Sequence, residues 1–497
     1  MLFELLQRNA AHFPNDIALS YGEQHITHAE LVERVENCAL GLESAGVGPG
    51  DRVALLLEST PSFVVSFFAI AARSAISVPL NPLYKEEELR FYFRDTDSRS
   101  IITTEQHAQL CEKAASDGTR ARPIVVTPEK LDLIACTEAQ GLTVDRPRRS
   151  SSLDNDLLFL YSSGSTGRPK RVPRTVLDYW WEIENIKATL DLGRDDTIFC
   201  AIPLFHNYGL VNCMLAAAGS GARLLILEEP NPFILRRRYA LELLERERVT
   251  VFPGVPFQFR HLVETKASAE LPHLRLCISA GTGLPVELFE AFYEKFRVPI
   301  RQHYGCSELG GISINLDEDP RPSAASVGHP LLGVSIKIVD EEGAELPDGE
   351  VGEIAVASRS VTRGYADLPE LNRIAFRDGF FFTGDLGCLD EQGRLTITGR
   401  KKLLIEVAGA KIDPVEIEDV LMQHAAVREV VVVGIDDPTG GEQIAKACVV
   451  ADKSCTERDL ISFCQERLAN FKVPQLIEFR DEIPKSPIGK VLRKYLI

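Results

Sequence analysis

Short apolar strands alternating with amphipathic helices predict an α/β protein. Two parallel-sheet units would be followed by an antiparallel, barrel-like segment and a small α/β tail. Three observations carry this expectation. In the first hundred residues, runs such as RVALLLE and ISVPLN are separated by helical segments, the pattern of a sheet covered on both faces. Residues 156–300 repeat that rhythm. From Pro322 to Thr398, the turn signals DEEG, LPDG, RDG and DEQG separate short strands, as in antiparallel hairpins.

In chain order, THAELVERVENCALGLESAG opens with Thr27 as cap and Glu30 three residues on, a capping box. Its apolar stripe runs through Leu31, Val32, Val35, Ala39 and Leu42, and Gly46 stops it. RVALLLE, ISVPLN and SIITT read as strands; PSFVVSFFAIAARS and EEELRFYFRD read as the helices between them. Residues 137–152, with three arginines and three serines, read as a surface linker. After Gly399 the α/β pattern returns. DPVEIEDVLMQH has Asp413 as cap, Pro414 at the first helical position and Glu416 closing a capping box. VREVVVVGI and AKACVVAD read as strands and TERDLISFCQERLANF as a helix.

At 497 residues the chain is long enough for several subdomains and a large core. Its net charge of −17 argues against a general nucleic-acid binder and against a polybasic membrane anchor. The eleven cysteines are never closer than seven residues apart, so no CxxC motif exists. An odd count with no secretory signal reads as reduced thiols in a cytoplasmic protein. The apolar run Phe63 to Ala72 is too short to span a bilayer.

The stretch YSSGSTGRPK, residues 161–170, follows the apolar run LLFLY. Gly164 and Gly167 let the backbone turn N–H groups toward an anion. Ser162, Ser163, Ser165 and Thr166 add hydroxyl donors, and Lys170 adds a point charge. The spacing is not that of a Walker loop, since GxxGxxK stands where GxxxxGK[ST] is needed.

This loop resembles the phosphate loop of the adenylate-forming superfamily, which includes acyl- and aryl-CoA synthetases, peptide-synthetase adenylation domains and beetle luciferases. The remaining motifs of that family follow in order along the whole chain: PLFHNYG, SAGTGLP, QHYGCSE, VGEIAV, TGDLG, TGRKKLLIEVAG and PKSPIGK. The resemblance implies that a carboxylate attacks ATP to give acyl-AMP and pyrophosphate, and that the thiol of coenzyme A, or of a carrier-protein phosphopantetheine, then takes the acyl group. It implies a large domain over residues 1–399 and a mobile domain over 400–497, hinged at Lys402, with Gly409 entering the thiol tunnel after rotation. The 162–170 loop would cradle the β- and γ-phosphates. Glu308 would hold Mg2+, and Ser307, where the family usually has threonine, would keep a hydroxyl for the α-phosphate. Tyr304 would pack on adenine, with Gly281, Thr282 and Gly283 on its other side. Asp385 and Arg400 would bind ribose, and Lys490 would touch the carboxylate and the α-phosphate.

By the same resemblance, His206 is the gating histidine, and Tyr208, Asn212 and His303 line the acid pocket. Amino-acid-activating domains carry an aspartate where this chain has His206-Asn207-Tyr208, so the expected acid lacks an α-amine. Many acyl and aryl ligases have glycine at the place of His303. An imidazole there should shorten the pocket floor or offer a polar contact, which points to aryl or short- to medium-chain acids. Arg171, Val176 and Glu406 depart from the family pattern in ways that bear on the thiol step. Arg236, Arg237 and Arg238 read as a solvated helix face or a greeting site for CoA phosphates. The chain ends seven residues past Lys490, so a carrier would act in trans. A non-catalytic relative is disfavoured, because Glu308, Asp385, Arg400 and Lys490 are all present.

Overall fold

The computed structural model describes residues 2–115, 122–125, 153–162, 169–228, 233–267, 269–281, 283–400, 405–407, 410–412, 414–437, 443–452, 455–484 and 495–496. The 137–152 linker and Asp413 lie outside them.

Two α/β sheets form the bulk of the protein. The smaller has six strands in the spatial order 122–125, 100–103, 52–56, 76–79, 156–162 and 170–175. It is parallel except for its last pair, a hairpin in which Ser162 faces Lys170. The larger has nine strands, with a parallel centre of 300–306, 276–279, 251–254, 197–200, 223–226 and 17–21 and antiparallel strands at both edges. The two units are therefore not consecutive in sequence. The N-terminal strands Ile17–Tyr21 and Gln24–Thr27 join the second sheet beside 223–226, while the 156–175 hairpin closes the first.

Local signals explain the helices. Thr27 and Glu30 form the expected capping box of helix His28–Ser44, and Gly46, at φ +84°, follows its end. Thr175 and Asp178 cap helix Val176–Leu190 in the same way, as Thr456 and Asp459 cap Glu457–Arg467. The helix Pro61–Ala72 is apolar nearly all round because it lies inside a large core shared with both sheets.

The segment from Val334 forms a five-stranded antiparallel sheet. Its path runs 334–339, 352–358, 380–389 and 376–377, with 395–400 paired on 380–389. Register shifts near Glu353 and Leu386 bend it. Residues from Ile405 onward build a separate core around Ile412, Ile417, Val432, Ala447 and Leu460. Lys472 ties this part to helix Glu86–Thr96: its ammonium lies 3.0 Å from Glu88 Oε1 and 2.8 Å from Glu416 Oε1, above the Tyr84 ring. All three charges lie in low-exposure positions, so removing one strands the others.

Candidate active site

Several of the predicted residues lie toward the carboxyl ends of parallel strands of the larger sheet, where open α/β sheets bind ligands. Strand Thr197–Cys200 leads to His206, Tyr208 and Asn212; strand Leu276–Ser279 leads to Gly281 and Gly283; strand Ile300–Cys306 carries His303 and Tyr304 and leads to Ser307 and Glu308. Gln302, buried, accepts from Leu284 N–H (3.0 Å) and donates to the Ala324 carbonyl, which fixes the end of the 281–284 turn against this strand. Gly281 sits at φ +89°, a conformation that favours glycine.

Two strands of the antiparallel sheet complete the arrangement. Asp385 is buried and accepts a 2.6 Å hydrogen bond from the Tyr304 hydroxyl. Burial and the Asp385 carboxylate push the Tyr304 phenol well above its ordinary value, so it stays a donor. Arg400 lies directly opposite Asp385 in the strand register. The two residues expected at one ribose are thus cross-strand neighbours.

Glu308 is also buried. Its Oε1 accepts from the Tyr365 hydroxyl at 2.8 Å, its backbone carbonyl accepts from Thr362 N–H at 2.7 Å, and Oε2 has no hydrogen-bond partner among the described residues. Lys170 lies 4.5 Å from the centroid of the same Tyr365 ring. Tyr365 therefore stands between the phosphate-loop lysine and the candidate metal carboxylate, and sequence reasoning missed it. The only signal for it is the Arg363-Gly364-Tyr365 turn, in which Gly364 adopts φ +129°. An oxygen-only donor with an open lone-pair direction fits Mg2+. Among the described residues no cluster of three metal-ligating side chains forms. Cys306, one residue before Ser307, is partly exposed, and burial together with the Glu308 charge raises its thiol.

Two of the residues expected to line the acid pocket are in ring contact. Tyr208 and His303 stack with centroids 6.0 Å apart and planes at 26°. The Tyr208 hydroxyl donates to the Ile278 carbonyl at 3.0 Å, and Asn212 is buried in a π-helical turn, Leu210–Leu215, of a kind frequent at functional sites. Gly209 starts this turn against the Pro203 carbonyl, which a Cβ would meet at 2.4 Å. His206 is exposed, and its Nδ1 accepts from Tyr208 N–H at 3.3 Å. His303 places Nδ1 3.0 Å from the Ser313 carbonyl, so Nδ1 carries the proton.

Burial lowers the His303 pKa from 6.5 to about 4, against the opposing effect of the Ser313 hydrogen bond. The unfolded chain binds this proton more readily between those two values. Its contribution to stability is therefore complete above pH 6.5 and declines as pH falls toward 4, by about 3 kcal/mol in all. A His303→Asn variant should lose less stability than the parent between pH 7 and pH 4, as measured by urea unfolding. Parallel slopes would contradict a neutral, buried imidazole.

Arg171 pairs with Asp95 and Asp367 and lies over the Phe159 ring, so this departure anchors the hairpin to neighbouring structure. Val176 is a buried helix-start residue. On the 233–246 helix, Arg237 donates to the Ile234 carbonyl and Arg238 pairs with Glu242, a helix-surface arrangement. Ser163, Gly164, Ser165, Thr166, Gly167, Thr282, Lys402, Gly409 and Lys490 lie outside the described residues, as do the side chains of Arg400 and Glu406.

Comparison with known proteins identifies the family and the fold. The chain is 33% identical over 503 residues to an oxalate–CoA ligase of Arabidopsis thaliana, covering 99% of this chain and 96% of that one. It is 33% identical over 491 residues to a feruloyl-CoA synthase of an Amycolatopsis species, covering 98% and 96%. A solved o-succinylbenzoate CoA synthetase of Bacillus subtilis superposes with a TM-score of 0.89 at 27% identity, over 99% of this chain and 98% of that one. The family profile for AMP-binding enzymes matches residues 6–366 and that for their C-terminal domain matches 416–490, so with the fold and these motifs in agreement the chain belongs to the AMP-binding, adenylate-forming enzymes.

Proposed function

We propose that the protein joins a carboxylic acid lacking an α-amine to ATP, forming an acyl-adenylate and pyrophosphate, and then transfers the acyl group to the thiol of coenzyme A. The observation that carries this reading is that Tyr304 meets Asp385 while Lys170 and Glu308 meet on either side of Tyr365, so that residues from three sheets converge.

The chemistry asks little of a base, because the attacking carboxylate is already an anion. It asks for two anions to be brought together and for the charge growing on the α-phosphate to be met by fixed dipoles and cations. Asp385, oriented by Tyr304, suits two ribose hydroxyls, and Glu308 with its open Oε2 would hold Mg2+. When bound, the metal would neutralise phosphate charge. The Ser162–Lys170 loop would hold the β- and γ-phosphates, Gly281, Thr282 and Gly283 would flank the base, and Ser307 would contact the α-phosphate. Lys490 would neutralise the reacting oxygens, and His206 would gate the thiol path.

The division into residues 1–399 and 400–497, turning about Lys402 so that Gly409 reaches the thiol, belongs to the same reading. It is supported by the separate core of the C-terminal part. Such a turn must break or rebuild the Lys472 contact with Glu88. The free cysteines among the described residues, most of them buried, support a reducing, cytoplasmic setting, and among those residues no helix is long and apolar enough to cross a membrane.

The Tyr208–His303 ring contact supports a compact aromatic or a short- to medium-chain acid. Acid-dependent ATP–pyrophosphate exchange across aryl, short, medium and long acids tests this. Best turnover is expected with the compact acids; best turnover with hexadecanoic acid would overturn it. A carrier-protein phosphopantetheine presents the same thiol as CoA, and comparing free CoA with a holo-carrier identifies the acceptor.

A further inference from the structure

We propose that Arg174 is a positioning residue for the Ser307–Glu308 turn and that it sets the affinity of the site for magnesium-bound ATP. This rests on the reading that Glu308 faces the metal. Arg174 is fully buried on the strand that leaves the phosphate loop, four residues after Lys170. Its Nη1 donates to the Ser307 carbonyl at 2.9 Å; its Nη2 donates to the carbonyls of Leu309 (3.2 Å) and Ser360 (3.0 Å). The carbonyls on both sides of Glu308 are thus gripped by one rigid planar group.

The guanidinium is itself anchored. Glu182 Oε2 lies 2.7 Å from Nη2, Asp178 Oδ2 lies 3.8 Å from Nε, and the cation sits 4.6 Å over the Tyr179 ring. Asp178, Tyr179 and Glu182 all belong to helix Val176–Leu190, which starts two residues after Arg174. Glu182 in turn packs against Gly310, at φ +95°, where a Cβ would come within 1.9 Å of its Oε1. Helix, phosphate-loop strand and metal turn are therefore tied through one buried ion pair. A planar fork can satisfy three carbonyls and a carboxylate at once, which an ammonium cannot do in the same directions. Partners that orient a metal-binding carboxylate change metal affinity when they are removed.

The test is calorimetric titration of the full-length protein with ATP, in EDTA and in Mg2+, for the parent, Arg174→Lys and Glu182→Gln. Folding is checked by thermal melting. In the parent, Mg2+ should tighten ATP binding. In both variants that Mg2+-dependent gain should fall by about 10–100-fold, with affinity in EDTA little changed. If either variant folds and keeps the gain within about twofold, the proposal is wrong. It is also wrong if affinity falls equally with and without Mg2+, the signature of a loosened fold. Should Arg174→Lys fail to fold, Glu182→Gln decides, because it keeps the volume and a hydrogen-bonding oxygen. A parent that binds no ATP in either buffer overturns the functional reading itself, so the two failures are distinct.

Discussion

Glu308→Gln should cut acid-dependent ATP–pyrophosphate exchange by about 10²–10³-fold, the usual loss when a fixed electrostatic partner is removed from a reacting centre. The amide keeps the shape of the side chain and an oxygen for the Tyr365 hydroxyl, which now lies 2.8 Å from Oε1. Thermal stability should therefore move little. What disappears is the negative charge offered to a divalent cation, in a place where neighbouring groups exclude water and charge is weakly screened. The concentration of Mg2+ giving half-maximal exchange should rise in parallel. Exchange at parental rate and unchanged Mg2+ demand would remove Glu308 from the metal role.

Lys490→Ala should lower the first half-reaction by about 10³-fold and leave the second within a few-fold, a split that follows from where charge accumulates. In adenylation, a carboxylate approaches a phosphate and a cation must lie between their oxygens. In thiolysis, the mixed anhydride is already activated and the cation is not needed. The two steps separate experimentally: pyrophosphate exchange reports the first, and release of AMP from synthetic acyl-adenylate with CoA reports the second. Equal losses in both steps would assign Lys490 a structural role. An exchange rate close to that of the parent would remove it from the reaction.

Local chemistry made most elements readable. Capping residues such as Thr27 with Glu30 act over three positions and need no tertiary context. The candidate phosphate loop stands out in the sequence for a similar reason, because glycine and serine at that density after an apolar strand have few structural uses. Which sheet receives Ile17–Tyr21 is not a local matter. It depends on pairing with Arg223–Ile226, some two hundred residues away, and nothing in the N-terminal residues marks that choice. Arg174 was illegible for a different reason. An arginine in sequence reads as surface, and only the assembled fold shows that helix 176–190 and the Glu308 turn close over it. Tyr365 escaped notice likewise, since an aromatic after Arg-Gly looks like an ordinary turn residue until Glu308 and Lys170 are seen on either side of it.

An acyl-adenylate is an indiscriminate electrophile, and an enzyme that makes one is exposed to labelling itself. Cys306 would be the natural victim, next to Ser307 in the chain. Burial raises its thiol, which disfavours the thiolate that would attack. Desolvation of that side chain would thus also shield the protein from its own intermediate, leaving the diffusible thiol as the acceptor that wins.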